Sequence, residues 1–240
     1  MIIVEENNKF FKHIYFENDI KVKKMTKKEL GQFYTTNHKY ILQNLHIPSH
    51  TTHIIEPFCG QGDLIKFVKH NLSERQRQVL ECYDLEPLDS YVIKRDTLES
   101  PPDYNNKFVV TNPPYLARNK HSNKKFFDKY QQNDLYKCFL ETLIASSPVG
   151  GILIVPLNFW CSIRTHDINL RRRFIQKYDI LTINIFEEQV FDDTTQTVCS
   201  FQFALQNTEN YTPETQCYVY PEKNKIKFIL NKNNNYTIGG

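Results

Sequence analysis

The chain has 240 residues and a mass of 28.5 kDa, with 40% hydrophobic and 24% charged residues, enough for one large core or a domain with a short appendage. Lys and Arg number 30 against 27 Asp and Glu, and a net charge of +3 excludes a polybasic tail or an acidic disordered chain. No apolar run approaches the roughly 20 residues of a membrane span, and MIIVEENNKF lacks the pattern of a secretory leader, so a soluble cytoplasmic protein is expected.

In chain order, residues 1–50 are mixed, basic around Lys21–Lys28, with a helix expected from Asn37 to Leu45. Thr52–Glu56 reads as a short strand, and Gly62–Asn71 as a helix carrying Leu64, Phe67 and Val68 on one face. Strands follow at Gln78–Leu85, Phe108–Val110 and Ile152–Val155, with a helix at Leu135–Ser146 between the last two. A helix at Asn169–Lys177 precedes two further strands, Tyr178–Phe186 and Val198–Leu205. Short apolar strands alternating with amphipathic helices predict an α/β fold, a mostly parallel sheet covered on both faces. Ligands of such sheets bind beyond the carboxyl ends of the strands. The Lys/Asn-rich segment Glu222–Asn235 fits the core pattern poorly.

Cysteine and glycine usage narrow the reading. Cys59, Cys82, Cys138, Cys161, Cys199 and Cys217 form no Cys-x-x-Cys pair and read as buried thiols, not as a disulfide frame or a zinc site. His46, His50 and His53 lack carboxylate or thiol partners nearby in sequence, so no metal is expected. The chain has only 7 glycines, where average usage would give roughly 17. Those present mark positions where other residues fail: Gly31, Gly60, Gly62, Gly150 and Gly151.

Three segments carry chemistry. Ile54-Ile55-Glu56-Pro57-Phe58-Cys59-Gly60-Gln61-Gly62-Asp63 is a strand, an acid, a glycine turn and a helix start. Its helix N-terminus offers unpaired N–H groups, while the acid repels pyrophosphate and attracts a cation. The third glycine of the dinucleotide fingerprint is missing. A zwitterionic nucleoside such as S-adenosylmethionine fits better than NAD, although a purely structural strand–turn–helix has the same pattern. Asp84 then closes the next strand, roughly 20 residues beyond Gly62, the spacing at which an acid reaches a ribose diol. Asp96, after a third strand, is positioned to accept from an exocyclic amine. In Phe108-Val109-Val110-Thr111-Asn112-Pro113-Pro114-Tyr115 a strand enters a turn stiffened by two prolines, with acceptors and an aromatic surface suited to a planar amine.

This last segment resembles motif IV of the S-adenosylmethionine-dependent amino-methyltransferases, specifically the adenine-N6 DNA methyltransferases. Gly31-Gln32-Phe33-Tyr34-Thr35-Thr36 resembles their motif X, Glu56–Gly62 motif I, Asp84 motif II and Asp96 motif III. Asp134-Leu135-Tyr136 resembles motif V, Gly150–Pro156 motif VI and Val190-Phe191 motif VIII, in the order of the gamma class found in type II restriction-modification systems. The resemblance spans about residues 28–206. It implies a Rossmann-like class I methyltransferase fold with a seven-stranded sheet and one antiparallel strand near its C-terminal edge.

It also implies roles. Asn112 and Pro113 would accept the hydrogens of the adenine amine within the rigid turn that Pro114 and Tyr115 complete. Tyr115 and Phe191 would stack on a base flipped out of the duplex. The cofactor would lie against Gln32, Tyr34, Thr35, Thr36, Glu56, Pro57, Phe58, Gly60, Gly62, Asp84, Leu85, Asp96, Thr97, Asn112 and Leu135. Arg171-Arg172-Arg173 and the basic stretch Arg118–Lys125 are candidates for phosphate contacts, the former equally a solvated helix face. Trp160 reads as packing.

The resemblance divides the chain into a catalytic domain at 1–206, with 1–50 covering the cofactor, and an extension at 207–240. Gamma-class relatives add a target-recognition domain, usually of about 100 residues or more. Residues 207–240 read as its truncated start, and recognition is expected from a separate polypeptide. Two alternatives stay open. A glutamine-N5 protein methyltransferase also uses an Asn-Pro-Pro-Tyr turn, though without matches at Gln32–Thr36 and Phe191. A fragment that binds cofactor or DNA without turnover is the other.

Overall fold

A computed structural model of the chain describes residues 35, 37–71, 79–191, 196–207 and 214–238. Helix α1 (His38–Ile41) leads into β1 (His53–Glu56), α2 (Asp63–Asn71), β2 (Val79–Asp84), β3 (Ile93–Lys94) and β4 (Phe108–Thr111). Helices α3 (Lys125–Tyr130) and α4 (Leu135–Ala145) precede β5 (Gly150–Pro156). Then come α5 (Asn158–Cys161), α6 (Thr165–Ile175), β6 (Tyr178–Phe186), β7 (Val198–Leu205), β8 (Thr215–Tyr220) and β9 (Asn224–Phe228).

The sheet runs β3-β2-β1-β4-β5-β7-β6-β8-β9. Strands β3 to β5 of that order are mutually parallel, β7 is antiparallel to both its neighbours, and β8 runs parallel to β6. The carboxyl ends of β1, β2, β4, β5, β6 and β8 therefore share one rim of the sheet. The first seven positions are the expected methyltransferase sheet. Two strands exceed the seven counted from sequence, because residues beyond 206 continue the sheet on the edge of β6. In β8 the buried residues Thr215, Cys217 and Tyr220 face inward, and Leu230 caps the same core. Strand β9 is almost wholly exposed, which is why its Lys/Asn-rich sequence hides it. Lysines on an open edge discourage further pairing.

Strands β4 and β5 are buried along their whole lengths, as parallel central strands covered on both faces must be. At the start of β5 there is no room for side chains. A Cβ on Gly151 would lie 2.5 Å from the Val109 carbonyl oxygen, and one on Gly150 would lie 2.6 Å from that of Phe203.

Two expected helices differ in extent. The Asn37–Leu45 helix is a single turn, because Asn44 adopts a left-handed φ of 63° and Asn184 Nδ2 draws off the Gln43 carbonyl at 2.6 Å. The Asn169–Lys177 helix begins earlier, at Thr165, and ends at Ile175.

Helix α6 is fastened to the sheet cover by buried charge. Lys137 on α4 pairs with Asp167 at 2.6 Å, and Ser162 Oγ donates to the other carboxylate oxygen at 2.5 Å. Arg171 is 0% exposed and donates to the carbonyls of Phe159 and Ser162, both at 2.7 Å. This removes Arg171 from the candidate phosphate contacts: α6 turns it inward to carbonyls left open at the end of α5. Arg173 forks onto the Glu141 carboxylate, and Arg172 is exposed. Trp160 is fully buried against Phe159 and Phe201, as a packing residue.

Candidate functional site

At the carboxyl rim, β1 ends in Glu56 and the chain turns through Gly60 and Gly62 into α2. Both glycines have positive φ, 53° and 74°, a conformation that other residues adopt only with strain. The turn is tied to its neighbours. Cys59 N–H donates to the Tyr83 carbonyl at 2.9 Å, Gly60 N–H to Asp84 Oδ2 at 2.8 Å, and Thr97 Oγ1 to the Pro57 carbonyl at 3.1 Å. Asp84 also accepts from Glu86 N–H at 2.8 Å through Oδ1. It thus locks the turns after β1 and β2 together, and each carboxylate oxygen keeps a lone pair for a ligand.

These turns wall a cavity of about 880 Å³. Of the residues expected at the cofactor, Thr35, Phe58, Gly60, Asp84, Leu85, Asp96, Thr97, Asn112 and Leu135 line it, together with Pro114. Glu56, Pro57 and Gly62 lie outside the lining and support the wall from behind. Gln32, Tyr34 and Thr36 lie outside the described residues. Sequence reasoning missed Cys59, Gln61, Asp63, Leu64, Arg95, Leu98, His121 and Phe126, which complete the wall. Asp63 was legible as the first residue of a helix following the glycine turn. His121 and Phe126 reach the cavity from a long excursion after β4, and no local pattern announces that.

The cavity is acidic at the glycine turn. Glu56 is 1% exposed, with Oε1 accepting from Thr111 Oγ1 at 2.5 Å and from Phe58 N–H at 3.0 Å. Burial pushes its carboxyl well above the usual range, and neighbouring Cys59 adds to the effect. Glu56 Oε2 and Asp63 Oδ2 are buried oxygens with no hydrogen-bond donor among the described residues. Unpaired buried acceptors are costly, and a cationic ligand in the cavity would relieve that of Asp63, which lines it. On the far wall, Asp96 Oδ1 caps the N–H groups of Leu98 and Glu99 at 3.1 and 3.0 Å.

Asn112 stands where β4 leaves the sheet. Its Nδ2 donates to Thr35 Oγ1 at 3.2 Å, and its Oδ1 accepts from the Tyr115 hydroxyl, which also lies 2.9 Å from the Ile154 carbonyl. The amide is thereby oriented from both ends. Pro113 is buried beside it, and Tyr115 is 3% exposed, its ring edge-on to Tyr136. Phe191 is buried as well. The structure therefore brings Asn112 and Pro114 to the cavity and sets Tyr115 and Phe191 in the packing around it.

The Arg118–Lys125 excursion is largely self-bonded. Lys124 caps the carbonyls of Arg118 and His121, Arg118 pairs with Asp128 at 2.6 Å, and Lys125 pairs with Glu99. Among the described residues no group of three or more His, Cys, Asp or Glu is arranged to hold a metal ion, and no helix is long and apolar enough to cross a membrane.

The family model of the Eco57I restriction-modification methylase matches residues 62–191, from the second glycine of the turn to Phe191. The chain belongs to this family. Its cofactor is S-adenosylmethionine, and the orphaned Asp63 carboxylate oxygen at the glycine turn suits the cationic end of that molecule. No curated protein matches the chain by sequence. Among solved structures, a modification subunit assigned to a type I restriction enzyme of Vibrio vulnificus YJ016 superposes with a TM-score of 0.62 at 14% identity, over 81% of this chain and 48% of its own. The DrdV–DNA complex superposes at 0.57 and 15% identity, over 88% and 31%. A protein assigned to the class I S-adenosylmethionine-dependent methyltransferases from Listeria monocytogenes superposes at 0.54 and 12% identity, over 81% and 65%. These likenesses show the class I methyltransferase fold. The chain spans about half the length of the Vibrio structure.

Proposed function

We propose that this Eco57I-family chain is the catalytic part of an adenine-N6 DNA methyltransferase acting on a base flipped out of the duplex. The observation that carries this reading is the oriented Asn112 amide on the wall of the cofactor cavity, held by Thr35 and Tyr115. S-adenosylmethionine, when bound, would supply a methyl group activated by a sulfonium, the methyl carbon–sulfur bond breaking as the nitrogen–carbon bond forms and the electron pair leaving on a neutral thioether. The chain's own residues do the rest by position. Asp84 takes the ribose hydroxyls with its spare lone pairs, Asp96 the adenine amine, and the Glu56–Asp63 turn the positive charge. Thr35, with Gln32, Tyr34 and Thr36, covers the methionine end.

On the substrate side, Asn112 Oδ1 and the Pro113 carbonyl accept the two N–H bonds of the target amine. That localises the nitrogen lone pair toward the methyl, and the product amine loses one proton to water. Catalysis then needs no covalent intermediate, only positioning and dipoles fixed before the reaction. The rigid Pro113-Pro114 turn supports this, because acceptors that need no reorganisation are worth most in the transition state. Tyr115 and Phe191 are assigned to the two faces of the base. Both rings are buried, so entry of the base must uncover them.

We assign residues 1–206 to catalysis, with DNA as the partner. The test is methyl transfer from labelled S-adenosylmethionine to unmethylated mixed-sequence DNA, followed by nucleoside analysis. A labelled N6-methyladenosine peak is expected. Label on cytosine, or on protein glutamine and not on DNA, would overturn the assignment.

A further inference from the structure

Beside the catalytic turn, on the same rim of the sheet, lies a second concavity of about 1050 Å³. Ala117, Asn133 and Asp134 form one side, Pro156–Asn158 the floor, and Arg164 with Gln196 and Thr197 the other side. Its polar groups are mostly amides and cations. The one acid, Asp134, is pushed up to about 6 by burial. Lys137 also lines the groove, but its ammonium is committed to Asp167. Arg164 is exposed and has no ion-pair partner among the described residues.

The loop that carries Arg164 joins α5 to α6. Its tip is Ile163, 83% exposed, more than any other large apolar side chain of the described residues. A single exposed isoleucine is ordinary on a surface. The anchoring of this one is not. Directly beneath it, Ser162 is held through its carbonyl by the buried Arg171 and through its hydroxyl by Asp167, itself paired with buried Lys137. A loop pinned by three buried charged side chains holds its tip in one place, as an insertion element requires.

We propose that the Cys161–Arg164 loop opens the duplex: Ile163 enters the base stack next to the target adenine, and Arg164 takes the adjoining phosphate. The inference rests on the DNA-adenine reading above. A duplex target costs unstacking and unpairing before chemistry, whereas a single strand does not. Apolar side chains wedged between base steps offset that cost by replacing lost stacking. The groove beside the wedge then receives the displaced backbone through Arg164, Asn158 and Gln196, donors of the kind that position phosphates without reading sequence.

The test compares methyl transfer to mixed-sequence duplex DNA with transfer to the same DNA as separated strands, for the wild-type chain, Ile163→Ala, Ile163→Met and Arg164→Ala. The expected result is a duplex-to-single-strand rate ratio lowered roughly tenfold in Ile163→Ala, in proportion to the unstacking no longer offset, and largely restored in Ile163→Met. Arg164→Ala should flatten the dependence of log binding constant on log salt for duplex by about 0.9, the loss of one phosphate contact. An unchanged ratio in Ile163→Ala overturns the wedge, as does a wild-type chain that methylates separated strands and never duplex, and in both cases the adenine reading survives. A wild-type chain that transfers methyl to neither DNA refutes the adenine reading, and the wedge with it.

Discussion

Asp84 offers the sharpest test of how the cofactor site is built. Its two carboxylate oxygens each receive a backbone N–H at 2.8 Å, one from the glycine turn after β1 and one from the turn after β2. Replacing it by Asn keeps the shape and one acceptor, but aims an amide NH2 at whichever N–H the remaining oxygen does not serve. One charge-assisted bond is lost, about 1.5–3 kcal/mol. For a domain of this size that corresponds to a fall in Tm of about 3–12 °C. The same substitution halves the acceptor capacity left for a ribose diol, so S-adenosylmethionine affinity should drop on the order of ten- to hundredfold, or about 1.4 kcal/mol per decade. Thermal scans of the ligand-free variant and titration calorimetry with S-adenosylmethionine measure the two effects separately. A variant that keeps its Tm within a degree would show that Asp84 does not clamp the turns. A variant that loses Tm but keeps affinity would remove Asp84 from the ribose site.

Three further outcomes follow from other parts of the structure. Asn112→Ala should lower the rate of transfer on the order of 10²–10³-fold, as loss of one preorganised hydrogen-bonding group does, with S-adenosylmethionine binding nearly unchanged by calorimetry. Glu56→Gln addresses pH: burial raises the Glu56 pKa in the folded chain, so folding favours its protonated form. That contribution is full below the unfolded carboxylate pKa and fades as pH rises through the folded value. The Gln variant lacks this loss, so its Tm minus that of the wild type should grow from pH 4 to pH 8 in ligand-free scans, while its affinity for the cationic cofactor falls. Asp167→Ala strands Lys137 without its partner in a buried site and should cost about 3–5 kcal/mol in urea unfolding.

Most of the core strands and the cofactor loop were legible because each depends on local pattern. Apolar runs of four to nine residues separated by amphipathic helices sufficed for β1, β4, β5, β6 and β7. Gly60 and Gly62 mark a turn where glycine supplies the positive φ. Arg171 was not legible, since a run of three arginines on a helix reads as a wet face. Only the tertiary approach of the Phe159 and Ser162 carbonyls makes its burial tolerable. Strand β9 was hidden for the opposite reason: an edge strand needs little apolar sequence, and β9 has almost none facing inward. The burial of Tyr115 was equally invisible, because a tyrosine after Pro-Pro has the same sequence whether its ring faces a substrate or packs on Tyr136.

The net charge of +3 says little about what this chain binds, because the informative quantity is how charge divides across the catalytic turn. On the cavity side stand Asp63, Asp84 and Asp96, with Glu56 behind them, against Arg95 and His121. On the groove side Arg164 stands among amides, with Lys137 already paired to Asp167, against Asp134 alone. Asn112 and Pro114 stand on the cavity wall. On the proposed reading, a cationic methyl donor is drawn to the cavity side of the catalytic turn and a polyanionic DNA acceptor to the groove side. Charge separation of this kind steers each ligand away from the other's site without any change in overall composition. It also accounts for an uncharged residue at the centre of the reaction. On the proposed reading, a carboxylate at position 112 would repel the DNA, and a cation would repel the sulfonium. An amide oxygen would accept from the target amine and leave the polarity on either side intact.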